Sequence, residues 1–257
     1  MQKGQARAVP NEKVYIHEFI EVLGHNRANY MHHMTANWSP IAQRERGQLC
    51  YGVWGTVGTT RKWPEVVNIW EEDGFSGLAA SFRHEFNHPT LQDPALADWW
   101  ARAATFRSGG FDRVLVPAPW TRTIAELTAD GVRGEVYAHE VVRVTPGRAW
   151  DFIDLAAENG TEVLDKFGWV LAGAWATAMA AEREVLLLWA IPTWEAWADF
   201  ESAQRSDPVV RAWNDQVREE SLDWDRFLLV DAPLSPFRTG RQPRESDRNS
   251  YQLPPPP

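Results

Sequence analysis

An apolar run broken by single or paired polar residues spans 14–22 (VYIHEFIEV), and it returns in nearly the same letters at 136–144 (VYAHEVVRV). Four further blocks recur in the same order. LCYGVWGT returns as VLAGAWAT, VVNIWEE as VLLLWAI, DPALADWW as DPVVRAWN and FDRVLVPAP as WDRFLLVDAP. Tyr15 thus falls over Tyr137, Trp54 over Trp175, Trp70 over Trp189 and Asp93 over Asp207. Five ordered blocks mark an internal duplication, and the first copy carries a short insertion around 86–90.

Each copy reads β-α-β-β-α-β from its periodicity and breakers. In the first, strands are expected at 14–22, 49–57, 65–71 and 112–117. Helices are expected at 26–38, stopped by Pro40, then at 75–86 and 95–105. In the second, Pro146 and Gly147 open a helix whose apolar residues Ala149, Phe152, Ile153, Ala156 and Ala157 share one face, with Gly160 as its stop. This order predicts an α+β fold: two tandem ferredoxin-like repeats, each a four-stranded antiparallel sheet with both helices on one face. The bare sheet faces need covering, which predicts that the two sheets pack face to face as an intrachain α/β barrel. The predicted segments are an N-terminal tail at 1–12, repeat one at 13–120, a linker at 121–133, repeat two at 134–233 and a disordered Pro-rich tail at 234–257.

Composition narrows the function without naming it. The chain has 257 residues, 44% hydrophobic and 24% charged, with 15 tryptophans, one cysteine and a net charge of −9. That charge argues against nucleic acid or an anionic membrane as partner. Cys50 has no internal disulfide partner, and no apolar leader precedes the first strand, so a cytoplasmic location is expected. Arginine greatly outnumbers lysine, as in GC-rich bacterial genes.

The second copy carries a family resemblance. VYAHEVVRVTPGRAWDFIDL, LLLWAIPTWEAW and DPVVRAW resemble the first strand and helix, the tryptophan-bearing third strand and the acidic-proline motif of the NIPSNAP family, within the dimeric α/β-barrel superfamily. The resemblance spans about residues 13 to 233, with Glu18 and Glu140 standing where the family usually has arginine. It implies a ligand-binding interior between the sheets and turns Glu18 and Glu140 toward it. It implies no single reaction, because the superfamily includes cyclases, oxygenases, haem enzymes and proteins of no known activity.

On a strand, Glu18 and His17 point to opposite faces. A carboxylate beside Ile16 and Ile20 has its charged form disfavoured, which raises its pKa toward the range useful for proton transfer. The alternative is a structural carboxylate paired with Arg143, Arg113 or Arg226. Trp54, Trp70, Trp175 and Trp189 are expected to wall a pocket for a flat apolar ligand, with Ile16 and Trp38, and Asn68 is the polar group on the face of Trp70. His33, on a helix flank with Asn26, Asn29 and Asn37, is the group expected to titrate near neutral pH. HEFNH at 84–88 matches the zinc motif H-E-x-x-H, but Pro89 disfavours helical geometry at His88, and no metal site is assigned.

These residues predict a small-molecule enzyme acting on a cyclic, polyketide- or terpenoid-like substrate by cofactor-independent proton transfer, as a cyclase, isomerase or lyase. Glu18 is the expected acid or base, Glu140 and His33 its auxiliaries and Asn68 a polariser. The chain is expected as a monomeric pseudo-dimer or a homodimer. The alternatives are a metal- or haem-dependent enzyme on the same scaffold, or a non-catalytic ligand-binding protein.

Overall fold

The computed structural model describes residues 9–249. In chain order the first copy runs β1 (Val14–Val22), α1 (Arg27–His32), α2 (Ser39–Arg46), β2 (Leu49–Thr56), β3 (Glu65–Glu72), α3 (Gly74–Phe86), α4 (Ala97–Ala104) and β4 (Arg107–Pro117). After α5 (Ile124–Ala129), the second copy runs β5 (Val136–Arg143), α6 (Ala149–Leu155), α7 (Thr161–Leu164), β6 (Val170–Thr177), β7 (Glu184–Ile191), α8 (Trp194–Ser206), α9 (Pro208–Glu220) and β8 (Asp223–Asp231), and α10 (Pro236–Thr239) follows. The eight strands form a closed barrel in the order β1-β3-β2-β8-β5-β7-β6-β4. Every strand pair with a resolved register is antiparallel. Among the described residues two compact units are present, 13–113 with 230–249, and 9–12 with 114–229. Their boundaries fall inside β4 and β8, so each of these strands begins in one unit and ends in the other.

Both expected helix stops are overridden by the same device. A π-helical turn at His33–Trp38 joins α1 to α2, and Ser39 N–H reaches back five residues to Met34 O. This offset brings Pro40 into the first turn of α2, where a missing N–H is tolerated. The carbonyl four residues before it, Ala36 O, takes Arg248 Nε at 3.4 Å instead. In the second copy a π turn at Ala156–Gly160 carries α6 into α7. Gly160 is no stop; a Cβ there would lie 2.9 Å from the Trp213 ring, so glycine serves a close approach.

The recurring Gly-x-Trp has an equally local cause. A Cβ on Gly52 would lie 2.1 Å from the Trp54 ring, and one on Gly173 would lie 1.8 Å from that of Trp175. Each indole occupies the space a side chain would need on the glycine two residues earlier, beside a register shift in its strand.

Two connections differ from expectation. The segment 121–133 contains α5, started by a capping box in which Thr123 and Glu126 satisfy each other's backbone N–H groups. The segment from 234, expected to be disordered, is ordered as far as it is described. Phe237 is buried, and the Gln242 side chain bonds both Cys50 N (2.9 Å) and Cys50 O (2.8 Å). A side-chain amide offers the same donor and acceptor as a peptide, so Gln242 serves as a strand partner at the β2 irregularity. The terminal prolines 254–257 lie outside the described residues.

Candidate functional site

In the first copy, β1 pairs with β3 so that Glu18 lies opposite Asn68 and Ile16 opposite Trp70. Asn68 Nδ2 donates to Glu18 Oε2 (2.7 Å) and to Tyr30 Oη on α1 (2.9 Å), and Trp70 Nε1 donates to the same Glu18 oxygen (2.9 Å). The expectation that Glu18 faces the space between the two sheets is therefore corrected: Glu18 lies on the face covered by the helices. Ile16, Trp70 and Trp38 belong to the same apolar cluster as Met31, Met34, Trp99 and Phe106. Along this face Val14, Ile20 and Val22 are buried, whereas Ile16 and Glu18 keep some solvent contact, so a gap in the helix cover reaches mid-strand.

Charge around Glu18 is unbalanced. Burial pushes its carboxyl up to about 7, and the nearby Asp112 carboxylate adds to the rise; the Trp70 and Asn68 donors and the Arg107 guanidinium pull the other way. Asp112 is itself raised by burial against the opposing pull of Arg107. Burial also raises the Tyr30 hydroxyl, which stays a neutral phenol. Both hydrogen bonds to Glu18 end on Oε2, and Oε1 has no hydrogen bond among the described residues. Asp112→Asn removes the repulsion, so the Glu18 titration, followed by carboxyl ¹³C NMR, should move to lower pH.

Tyr30, Arg107 and Asp112 were not singled out from the sequence. Tyr30 precedes Met34 and Trp38 by one and two helical turns and carries the polar tip of that stripe. Arg107 and Asp112 sit on β4 and gave no local signal.

His33 does not fill its expected role. It is buried, its ring stacks 4.9 Å from that of Trp99, and both nitrogens are engaged. Asn37 donates to Nδ1 (3.1 Å), so Nε2 carries the proton toward Trp99 O (3.3 Å). Burial lowers its pKa to about 4, so it stays neutral near pH 7. His33 is a fixed neutral link between the π turn and α4.

The four strand tryptophans do not form one wall. Register places Trp54 opposite Val67 and Cys50 opposite Trp70, so Trp54 lies on the other face, where its ring meets Phe237 at 5.7 Å. In the second copy Trp189 shares a face with Glu140, and Trp175 lies on the opposite one.

Glu140 also departs from expectation. It is 1% exposed, its Oε1 is ion-paired with Arg226 Nε (2.8 Å), and its Oε2 takes Trp224 Nε1 (3.2 Å). It is the structural, arginine-paired carboxylate, and the auxiliary catalytic role is withdrawn. The two copies part at this point. Arg113, which aligns with Arg226, lies over the Phe19 ring at 5.4 Å, on the face away from Glu18. Where Glu140 meets a guanidinium, Glu18 meets the acid Asp112.

No protein-family model and no curated protein matches the chain. Solved structures share its fold. An anthrone oxidase-like protein has a TM-score of 0.58 at 12% identity, covering 86% of this chain and 92% of that one. A provisionally assigned monooxygenase from Lactobacillus acidophilus NCFM has a TM-score of 0.52 at 11% identity, covering 91% and 97%. An uncharacterized NIPSNAP domain protein from Burkholderia xenovorans, TM-score 0.32 at 18% identity, covers 37% of this chain and 92% of that one. The first two, which span most of both chains, share the barrel fold of this one. At these identities the likeness is one of fold. Among the described residues no helix is long and apolar enough to cross a membrane.

Proposed function

We propose that the protein binds an apolar, cyclic small molecule against the helix-covered face of the first copy and catalyses cofactor-independent proton transfer on it, as a cyclase, isomerase or lyase. The observation that carries this reading is the setting of Glu18. Two neutral donors anchor one carboxylate oxygen, the other has no hydrogen bond among the described residues, and the neighbouring strand supplies Asp112 rather than an ion-paired arginine. A carboxyl with a pKa near working pH is useful both as base and as acid. In its ionised form Oε1 accepts a proton from the substrate, while Asn68 and Trp70 hold Oε2 in place. The protonated form can return that proton elsewhere on the same molecule. Ile16, Trp38, Trp70, Trp99 and the two methionines supply the apolar surface, and Tyr30 holds Asn68.

A chromogenic nitrobenzisoxazole, whose ring opens when a base removes its carbon-bound proton, tests the base without knowledge of the natural substrate. Its turnover should rise with pH through about 7, as the raised carboxyl ionises. Glu18→Gln should lower it by about 10² while leaving KM little changed. Equal turnover by Glu18→Gln and the parent protein would remove Glu18 as the base. Binding of the probe without turnover would favour the second reading, a non-catalytic ligand-binding protein, which the paired state of Glu140 alone does not select.

A further inference from the structure

The H-E-x-x-H segment on α3 does not serve the Glu18 site, and its geometry departs from the motif. The helix ends at Phe86 and His88 falls in the following turn, so the two histidines do not share a helical face. Glu85, the base in metallopeptidases with this motif, is ion-paired with Arg46 and accepts from the Asp93 backbone N–H. His84 has other company. Its Nε2 lies 3.0 Å from Asp93 Oδ2, and a carboxylate oxygen of Glu45 on α2 completes a set of three donor atoms within 4.8 Å of one another.

We propose that Glu45, His84 and Asp93 bind one divalent transition-metal ion of the zinc class. The donor set fits: one imidazole and two carboxylates are borderline-to-hard ligands that suit Zn²⁺, Co²⁺ or Mn²⁺, and two negative charges balance the dication. Three protein ligands are too few for Ca²⁺, which takes six to eight oxygens. The site is also partly preorganised. Asp93 is 6% exposed, and its Oδ1 is fixed by Ala95 N–H (2.9 Å), which leaves Oδ2 to ligate. Asp207, its counterpart in the second copy, makes the same cap with Val209 N–H (2.7 Å) but has no histidine paired with it. Arg44 holds Glu45 Oε1 (2.8 Å), the kind of outer contact that orients a ligating carboxylate. His84 and Glu45 are exposed, so the remaining coordination position opens to solvent. On binding, the metal takes the place of the direct contact between His84 Nε2 and Asp93 Oδ2, and the neutral imidazole carries its single proton on Nδ1. The ion would tie α2, α3 and the segment after the insertion together.

Calorimetric titration of tag-free, chelator-treated full-length protein with ZnCl₂ tests the assignment. The expected result is one equivalent bound, with His84→Ala and Asp93→Asn each weakening it by about tenfold or more, and His88→Ala leaving it unchanged. Asp93→Asn keeps the helix-capping oxygen, so it reports on ligation separately from folding. Co²⁺ should give a visible absorption band that His84→Ala abolishes. Undiminished affinity in both His84→Ala and Asp93→Asn, binding well below one equivalent, or loss on His88→Ala instead would each overturn the proposal. None of these readouts depends on Glu18 chemistry.

Discussion

Arg226→Met should destabilise the protein by about 3 to 5 kcal/mol, the usual cost of leaving a buried charge without its partner. Glu140 is 1% exposed and the Arg226 side chain 11%, so water cannot replace the guanidinium once it is gone. The remaining Trp224 N–H is a single neutral donor to a full negative charge. Methionine keeps much of the apolar contact that the arginine makes with Phe200 and Trp224, whose rings lie 5.1 and 4.7 Å from the guanidinium carbon, so the loss reports mainly on charge. Urea denaturation of Arg226→Met alone and of Glu140→Leu with Arg226→Met separates the terms. The double variant should regain most of the stability, because an ion pair replaced by apolar groups no longer has two charges to desolvate. A single-variant loss below about 1 kcal/mol would mean that the pair is worth no more than a surface one.

Glu18→Gln should stabilise the protein, and only at higher pH. The folded carboxyl titrates at about 7 against an ordinary 4.5. A carboxyl raised in this way favours folding below its unfolded pKa, and that contribution is lost as pH rises through the folded one. At about 1.36 kcal/mol for each pKa unit, the gap between variant and parent should widen by about 3 kcal/mol from pH 4.5 to just above 7, then level off. Carboxylates away from this site shape both curves equally, so the difference reports Glu18 together with Asp112, whose charge acts on it. A difference that stays flat across this window would show that Glu18 ionises freely in the folded state.

The duplication, the element order and the barrel were legible because Gly-x-Trp, Tyr-x-His-Glu and Asp-Pro recur with their spacing. The facing of Glu18 was not. Strand geometry says that Glu18 and His17 point apart, but β1 has buried apolar residues on both faces: Tyr15 and Phe19 are as buried as Val14, Ile20 and Val22. A strand buried on both faces has no hydrophobic contrast to tell which side meets the helices. Pro40 and Gly160 read as stops because π turns have no sequence signature of their own, and the 234–249 segment read as disorder because its composition hides the anchors Phe237 and Gln242. Arg107 and Asp112 act on Glu18 only through the fold. Both sit on β4, which runs beside β1, where Gly110 comes so near Phe19 O that a Cβ would lie 2.3 Å away.

The opposite facing of Arg113 and Arg226 has an evolutionary consequence. A shift of one position along a strand turns every side chain over, so a duplicated Asp-Arg pair can present its cation in one half and its acid in the other with no change of letters. One half thereby keeps its buried carboxylate neutralised by a guanidinium, while its twin holds a carboxyl beside a second acid. Divergence of this kind is invisible to motif comparison, since both halves still spell Asp-Arg at the same place.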